Sequence, residues 1–68
     1  MKLRGGARIG VDIGGTFTDL VLSDAQGRTW FDKRASTPGQ PEQAVLDGIL
    51  SLLGHADLEP ADLVEVLH

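Results

Sequence analysis

The 68-residue sequence has no cysteine, no tyrosine, one tryptophan and two phenylalanines. Without cysteine there is no disulfide framework, no thiolate metal site and no cysteine nucleophile. That absence is compatible with a reducing compartment. Lysine and arginine are missing from residues 35–68, whose six acids give that half a charge of −6. The first half holds all six cations against four acids, a balance of +2. The formal net charge of −4 excludes nucleic acid as the default partner, since phosphate neutralisation needs clustered Lys and Arg. An anionic ligand meets its least repulsive field in the first half. No stretch approaches the ~18 apolar residues of a membrane span. Lys2 and Arg4 could open a secretory leader, but Gly5, Gly6 and Arg8 follow and Asp12 breaks the next apolar run. The ~7–15-residue apolar segment of such a leader is therefore missing. These absences read as a soluble, cytoplasmic chain with no membrane partner.

What is present is an ordinary globular composition, 41% hydrophobic and 24% charged, rather than a disordered one. The chain lies below the roughly 70–80 residues at which a lone core stops needing a staple or a partner. Residues 1–7 read as a flexible tail. From Arg8 to Ile13 the residues alternate, with Ile9, Val11 and Ile13 on one side, which predicts a strand. Gly14-Gly15 predicts a tight hairpin turn. Phe17–Ser23 predicts a second strand, with Thr18, Leu20 and Leu22 opposite Phe17, Asp19 and Val21. Asp24–Gly27 reads as another turn, with Gly27 where positive φ is easiest. Arg28–Ala35 predicts a third, more polar strand suited to a sheet edge.

Ser36–Gln40 reads as a loop, and Pro41 as the first residue of a helix, with Glu42 favourable near its N-terminus. Val45, Ile49, Leu52 and Leu53 recur at helical spacing, Leu46 and Leu50 widen the stripe, and Gly54 predicts the stop. Glu59–Asp62 predicts a short helical turn and Val64–Leu67 a fourth strand. A strand reached through a helical crossover pairs in parallel, and parallel strands need both faces covered. One helix of about 14 residues covers one face. The expectation is therefore the opening of a larger protein, with a small domain that dimerises as the alternative.

The segment with chemical content is Gly10-Val-Asp-Ile-Gly-Gly-Thr-Phe-Thr-Asp19. Gly10 and Gly15 are spaced as in a P-loop, but Thr16 stands where the lysine for the β/γ-phosphates is needed, which excludes that motif. No G-x-G-x-x-G opens a helix, which excludes a dinucleotide fingerprint. There remains a carboxylate at a strand end, two glycines, a hydroxyl and a second strand. Glycines let a phosphate approach a turn whose N–H groups converge as an anion nest. Thr16 adds a hydroxyl. Asp12 suits Mg²⁺ held through water beside substrate phosphates. The same residues also suit a plain hairpin with a surface aspartate, and spacing alone does not choose. His55 reads as a surface residue at a helix end, and Trp30 as packing.

Gly10–Asp19 resembles the first phosphate motif of the sugar kinase/heat-shock chaperone/actin superfamily, a β-hairpin that clamps nucleotide phosphates. Asp12-Ile-Gly-Gly-Thr-Phe-Thr-Asp19 is most similar to the N-terminus of the hydantoinase/oxoprolinase family, of the N-methylhydantoinase A type. Ser36-Thr37-Pro38, Pro41 with Ala44-Val45-Leu46 and Gly48-Ile49, and Asp62-Leu63 before Val66-Leu67-His68 agree in order. The resemblance covers Arg8 to His68, where the family continues into a His-Gly-Thr-Thr segment. Gln40 departs from the aspartate expected before Pro41.

The resemblance implies an α/β fold, with 8–68 a partial ribonuclease-H-like (actin-like ATPase) lobe of order β-β-β-α-β. It implies a parent enzyme that uses ATP and Mg²⁺ to open cyclic amides such as hydantoins or 5-oxoproline, by phosphorylating the carbonyl oxygen. Asp12 would be the catalytic residue that orients Mg²⁺ through water. Gly14, Gly15 and Thr16 would cradle the phosphates, with Asp19 and Thr18 as further candidates. Implied partners are the rest of the parent chain and a B-type hydantoinase subunit, fused or separate; a homodimer is an alternative for the fragment, which is expected to be inactive alone. Rivals are an acetone- or acetophenone-carboxylase subunit of the same family, a sugar kinase with a D-x-G-G-T hairpin, and a truncated, non-enzymatic interaction module. Phe17-Thr18-Asp19 argues against the kinase, which usually carries Lys or a small residue after the threonine.

Overall fold

The computed structural model describes residues 6–68. Strands β1 (Ala7–Ile13), β2 (Phe17–Ser23) and β3 (Thr29–Ala35) precede helix α1 (Pro41–His55). A 3₁₀ turn, Pro60–Asp62, then leads into β4 (Leu63–Leu67). The four strands form one sheet in the order β3-β2-β1-β4. β1, β2 and β3 pair antiparallel as a meander, and β4 pairs parallel to β1. The fold is α/β, in the β-β-β-α-β order expected of the opening of a ribonuclease-H-like lobe. β1 starts one residue earlier than alternation predicts, because Ala7 is fully buried and pairs with Leu63. The rest of the expected tail, apart from Gly6, lies outside the described residues.

Register places Ile9 opposite Leu22, Val11 opposite Leu20 and Ile13 opposite Thr18, on the face that α1 covers. Ala7, Ile9, Leu20, Leu22 and Leu52 form the core, with Val11, Trp30, Ile49, Leu58 and Leu63 packed around it. Trp30 is therefore a packing residue, as its pattern suggests. The helix packs on the sheet through smaller residues than its apolar pattern predicts. Its buried residues are Ala44, Gly48, Leu52 and Leu53, while Leu46 and Leu50 are about half exposed. Small residues at the centre set this approach, and a Cβ on Gly48 would lie 2.5 Å from a Leu20 methyl.

Turn chemistry accounts for the connections. Asp24 accepts from the N–H groups of Gln26 and Arg28 at 3.0 and 2.8 Å, and Gly27 takes φ +86°. Thr37-Pro38-Gly39-Gln40 is a type II turn, with Gly39 at φ +86° and the Gln40 N–H on the Thr37 carbonyl at 3.0 Å. Gln40 makes no side-chain cap. Instead the Thr37 hydroxyl oxygen accepts the Ala44 N–H. The helix passes through Gly54, the expected stop, and ends at His55. Asp57, at φ 58°, occupies the left-handed position, while the N–H groups of Asp57 and Leu58 close on the carbonyls of Gly54 and Leu53. This double closure is a Schellman motif, in which an aspartate takes the place glycine usually fills.

Candidate functional site

β1 delivers Asp12 to the exposed face of the sheet, opposite α1, directly across from Asp19 on β2. Side chains so paired hold their Cβ atoms about 4.5–5.5 Å apart, and like charges there repel. The next residue in the row, Lys33 of β3, is in register with Asp19 and reaches its carboxylate at 3.7 Å. The Lys33 ammonium also lies 5.0 Å from the centre of the Phe17 ring. Asp12 forms no ion pair among the described residues. Among the described residues, one carboxylate of the pair thus has a counter-charge and the other has none.

The turn beside this row differs from the expected tight hairpin. Neither Gly15 nor Thr16 takes positive φ, so the turn is of neither primed type. The Gly14 N–H donates to the Phe17 carbonyl at 2.9 Å. The reciprocal bond is replaced by Ser36, at the far end of β3, whose hydroxyl donates to the Gly14 carbonyl at 2.7 Å. The Ser36 N–H donates to the Thr16 carbonyl at 2.9 Å. Held in this way, the turn leaves the N–H groups of Gly15 and Thr16 without an acceptor among the described residues. A Cβ on Gly15 would meet no atom within 4 Å. Among the described residues, nothing requires that glycine to be small.

The residues singled out from the sequence therefore separate by position. Asp12, Gly15, Thr16 and Asp19 share one exposed end of the hairpin. The Gly14 N–H is committed to closing the turn, so its contribution is backbone shape rather than a free donor. Thr18 is fully buried on the helix side, and its hydroxyl meets Ser36 at 2.9 Å. Ser36 is the residue that sequence reasoning missed. Its one visible signal is its place in Ser36-Thr37-Pro38 directly after the third strand.

The donor set fits magnesium beside a polyphosphate. Among the described residues no group of three or more potential metal ligands comes together, which argues against an all-protein cage. Mg²⁺ bound to nucleotide typically takes one or two carboxylates, keeps several waters and is completed by phosphate oxygens. Two adjacent exposed carboxylates, two open amides and the empty space over Gly15 supply such a setting.

Comparison with known proteins shows the family. Residues 8–68 match the family model described as the hydantoinase/oxoprolinase N-terminal region. The chain is 37% identical over 57 residues to caprolactamase subunit alpha from Pseudomonas jessenii, an alignment that covers 84% of this chain and 8% of that protein. The chain thus spans about 8% of the length of the curated relative it matches. No solved structure matches it. By its motifs, its strand order and its match over residues 8–68, the chain belongs to the hydantoinase/oxoprolinase family.

Proposed function

We propose that this region is the nucleotide-phosphate-binding segment of a cytoplasmic, ATP- and Mg²⁺-dependent enzyme that hydrolyses cyclic amides. The observation that carries the proposal is the Gly14–Thr16 turn, where among the described residues two amides lack acceptors, the space over Gly15 is open and the neighbouring Asp12 has no ion-pair partner. A relative named for caprolactam, a cyclic amide, supports the substrate class, and its designation as a subunit supports a partner subunit.

When bound, Mg-ATP supplies the phosphoryl group that activates the amide oxygen. The chain's own part is binding and orientation. The amides of Gly15 and Thr16 and the Thr16 hydroxyl donate to phosphate oxygens, a preorganised arrangement that needs no rearrangement as charge develops. Asp12 orients the metal's water shell. Asp19, restrained by Lys33, keeps the second carboxylate on the same face and supports the cation by charge.

The test is turnover by the complete protein. ATP hydrolysis is expected when hydantoin, 5-oxoproline or caprolactam is supplied, and Asp12→Asn should lower it at least ~100-fold with the melting temperature retained. ATP turnover triggered by glucose alone, or by a ketone with bicarbonate, would replace this reading with a kinase or a carboxylase. Amide opening at full rate without nucleotide would remove the phosphate role altogether.

A further inference from the structure

Behind the phosphate turn lies a pair of hydroxyls that the site's exposed face does not contain. Thr18 is fully buried, and its Oγ1 lies 2.9 Å from the Ser36 Oγ. The Ser36 Oγ is also 2.7 Å from the Gly14 carbonyl oxygen. A carbonyl only accepts and a serine hydroxyl has one proton, so Ser36 must give that proton to Gly14. Thr18 is then the donor to Ser36. The three groups form a directed chain, Thr18 O–H to Ser36 O–H to Gly14 C=O, in which each bond polarises the next.

The consequence for the turn follows from peptide geometry. The Gly14 carbonyl and the Gly15 N–H belong to one planar trans unit and point in opposite directions. Fixing the carbonyl onto Ser36 therefore aims the Gly15 N–H away from Ser36. The Ser36 N–H fixes the Thr16 carbonyl at 2.9 Å and so sets the Thr16–Phe17 peptide plane at the other end of the turn. A hairpin closed by the usual reciprocal pair would instead draw the Gly14 carbonyl toward the Phe17 N–H.

We propose that Ser36 is a positioning residue for nucleotide phosphates: it holds the Gly15 N–H in its donating orientation, and its own hydroxyl is directed by Thr18. This rests on the phosphate-binding reading of the turn. Ser36 touches no phosphate itself; it acts through the two peptide planes it restrains.

The experiment is calorimetric titration of Mg-ATP into the complete protein and its variants. Ser36→Ala is expected to raise the Kd about tenfold, the scale of one hydrogen bond, and Ser36→Thr, which keeps the hydroxyl, to restore it. Thr18→Val, which keeps the shape and removes the donor, should weaken binding by a smaller factor. The double variant should bind no more weakly than Ser36→Ala alone, because Thr18 acts only through Ser36. If Ser36→Ala does not fold, Thr18→Val against Thr18→Ser carries the same comparison. Wild-type affinity in Ser36→Ala, failure of Ser36→Thr to rescue, or additive losses in the double variant would overturn the proposal while leaving the phosphate site in place. Absence of Mg-ATP binding by the wild type would overturn both.

Discussion

A Cβ on Gly14 would lie 2.9 Å from the Phe17 carbonyl oxygen, whereas one on Gly15 would meet no atom within 4 Å. The two neighbouring glycines therefore answer to different demands, one from the fold and one from what approaches it. Gly14→Ala is expected to lower unfolding stability by about 1–3 kcal/mol, since the backbone carbonyl it meets must shift. Gly15→Ala should leave stability unchanged or raise it by up to ~1 kcal/mol through the unfolded chain. Chemical denaturation of both variants separates them, and equal losses would contradict this division. Asp12, Gly15 and Thr16 were legible because strand alternation and glycine punctuation are local signals. Ser36 was not, because its bond to Gly14 spans 22 residues and exists only once β3 is paired. The Asp12–Asp19 pairing likewise depends on register, which the turn's position fixes but residue type does not.

At the scale of single elements, α1 holds two glycines in contrasting places. Gly48 faces Leu20 and the Asp32 carboxylate, and Gly54 meets nothing within 4 Å. Overpacking costs about 1–3 kcal/mol, more than the ~1 kcal/mol of helix propensity an alanine adds. Gly48→Ala should therefore destabilise and Gly54→Ala should stabilise. Opposite shifts in melting temperature check the pair; a stabilised Gly48→Ala would show that Leu20 repacks freely. The helix stop was misplaced at Gly54 because an aspartate in the left-handed region leaves no glycine signature.

The β2–β3 turn is an element with a pH signature. Burial raises the Asp24 pKa, but the N–H groups of Arg28 and Gln26 and the Arg28 guanidinium at 2.7 Å outweigh it and hold the carboxyl below its usual value. A lowered folded value means that the stabilisation is complete above the ordinary aspartate pKa of about 3.9 and is lost as pH falls through the lower folded value. Asp24→Asn should flatten the acid limb of stability against pH below ~4. An unchanged limb would contradict the role of this carboxylate.

For the molecule as a whole, the sheet is two-faced in a way its sequence announced. α1 covers one side. The other carries Phe31, Val21, Gly10 and Leu67 in a single cross-strand row, with Phe31 78% exposed. The crossover to a parallel β4, inferred from one helix between a meander and a final apolar run, is present. What the sequence did not show is which small residues bring the helix close, since that depends on packing across 20 or more positions. No helix among the described residues is long and apolar enough to cross a membrane.

The most direct measurement is Mg-ATP binding by the complete protein, titrated for the wild type and for Gly15→Ala with melting temperatures recorded alongside. We expect the wild type to bind, and the added methyl to weaken binding about tenfold or more without lowering the melting temperature. Equal affinities in the two proteins, or a wild type indifferent to nucleotide, would contradict a phosphate seat at this turn.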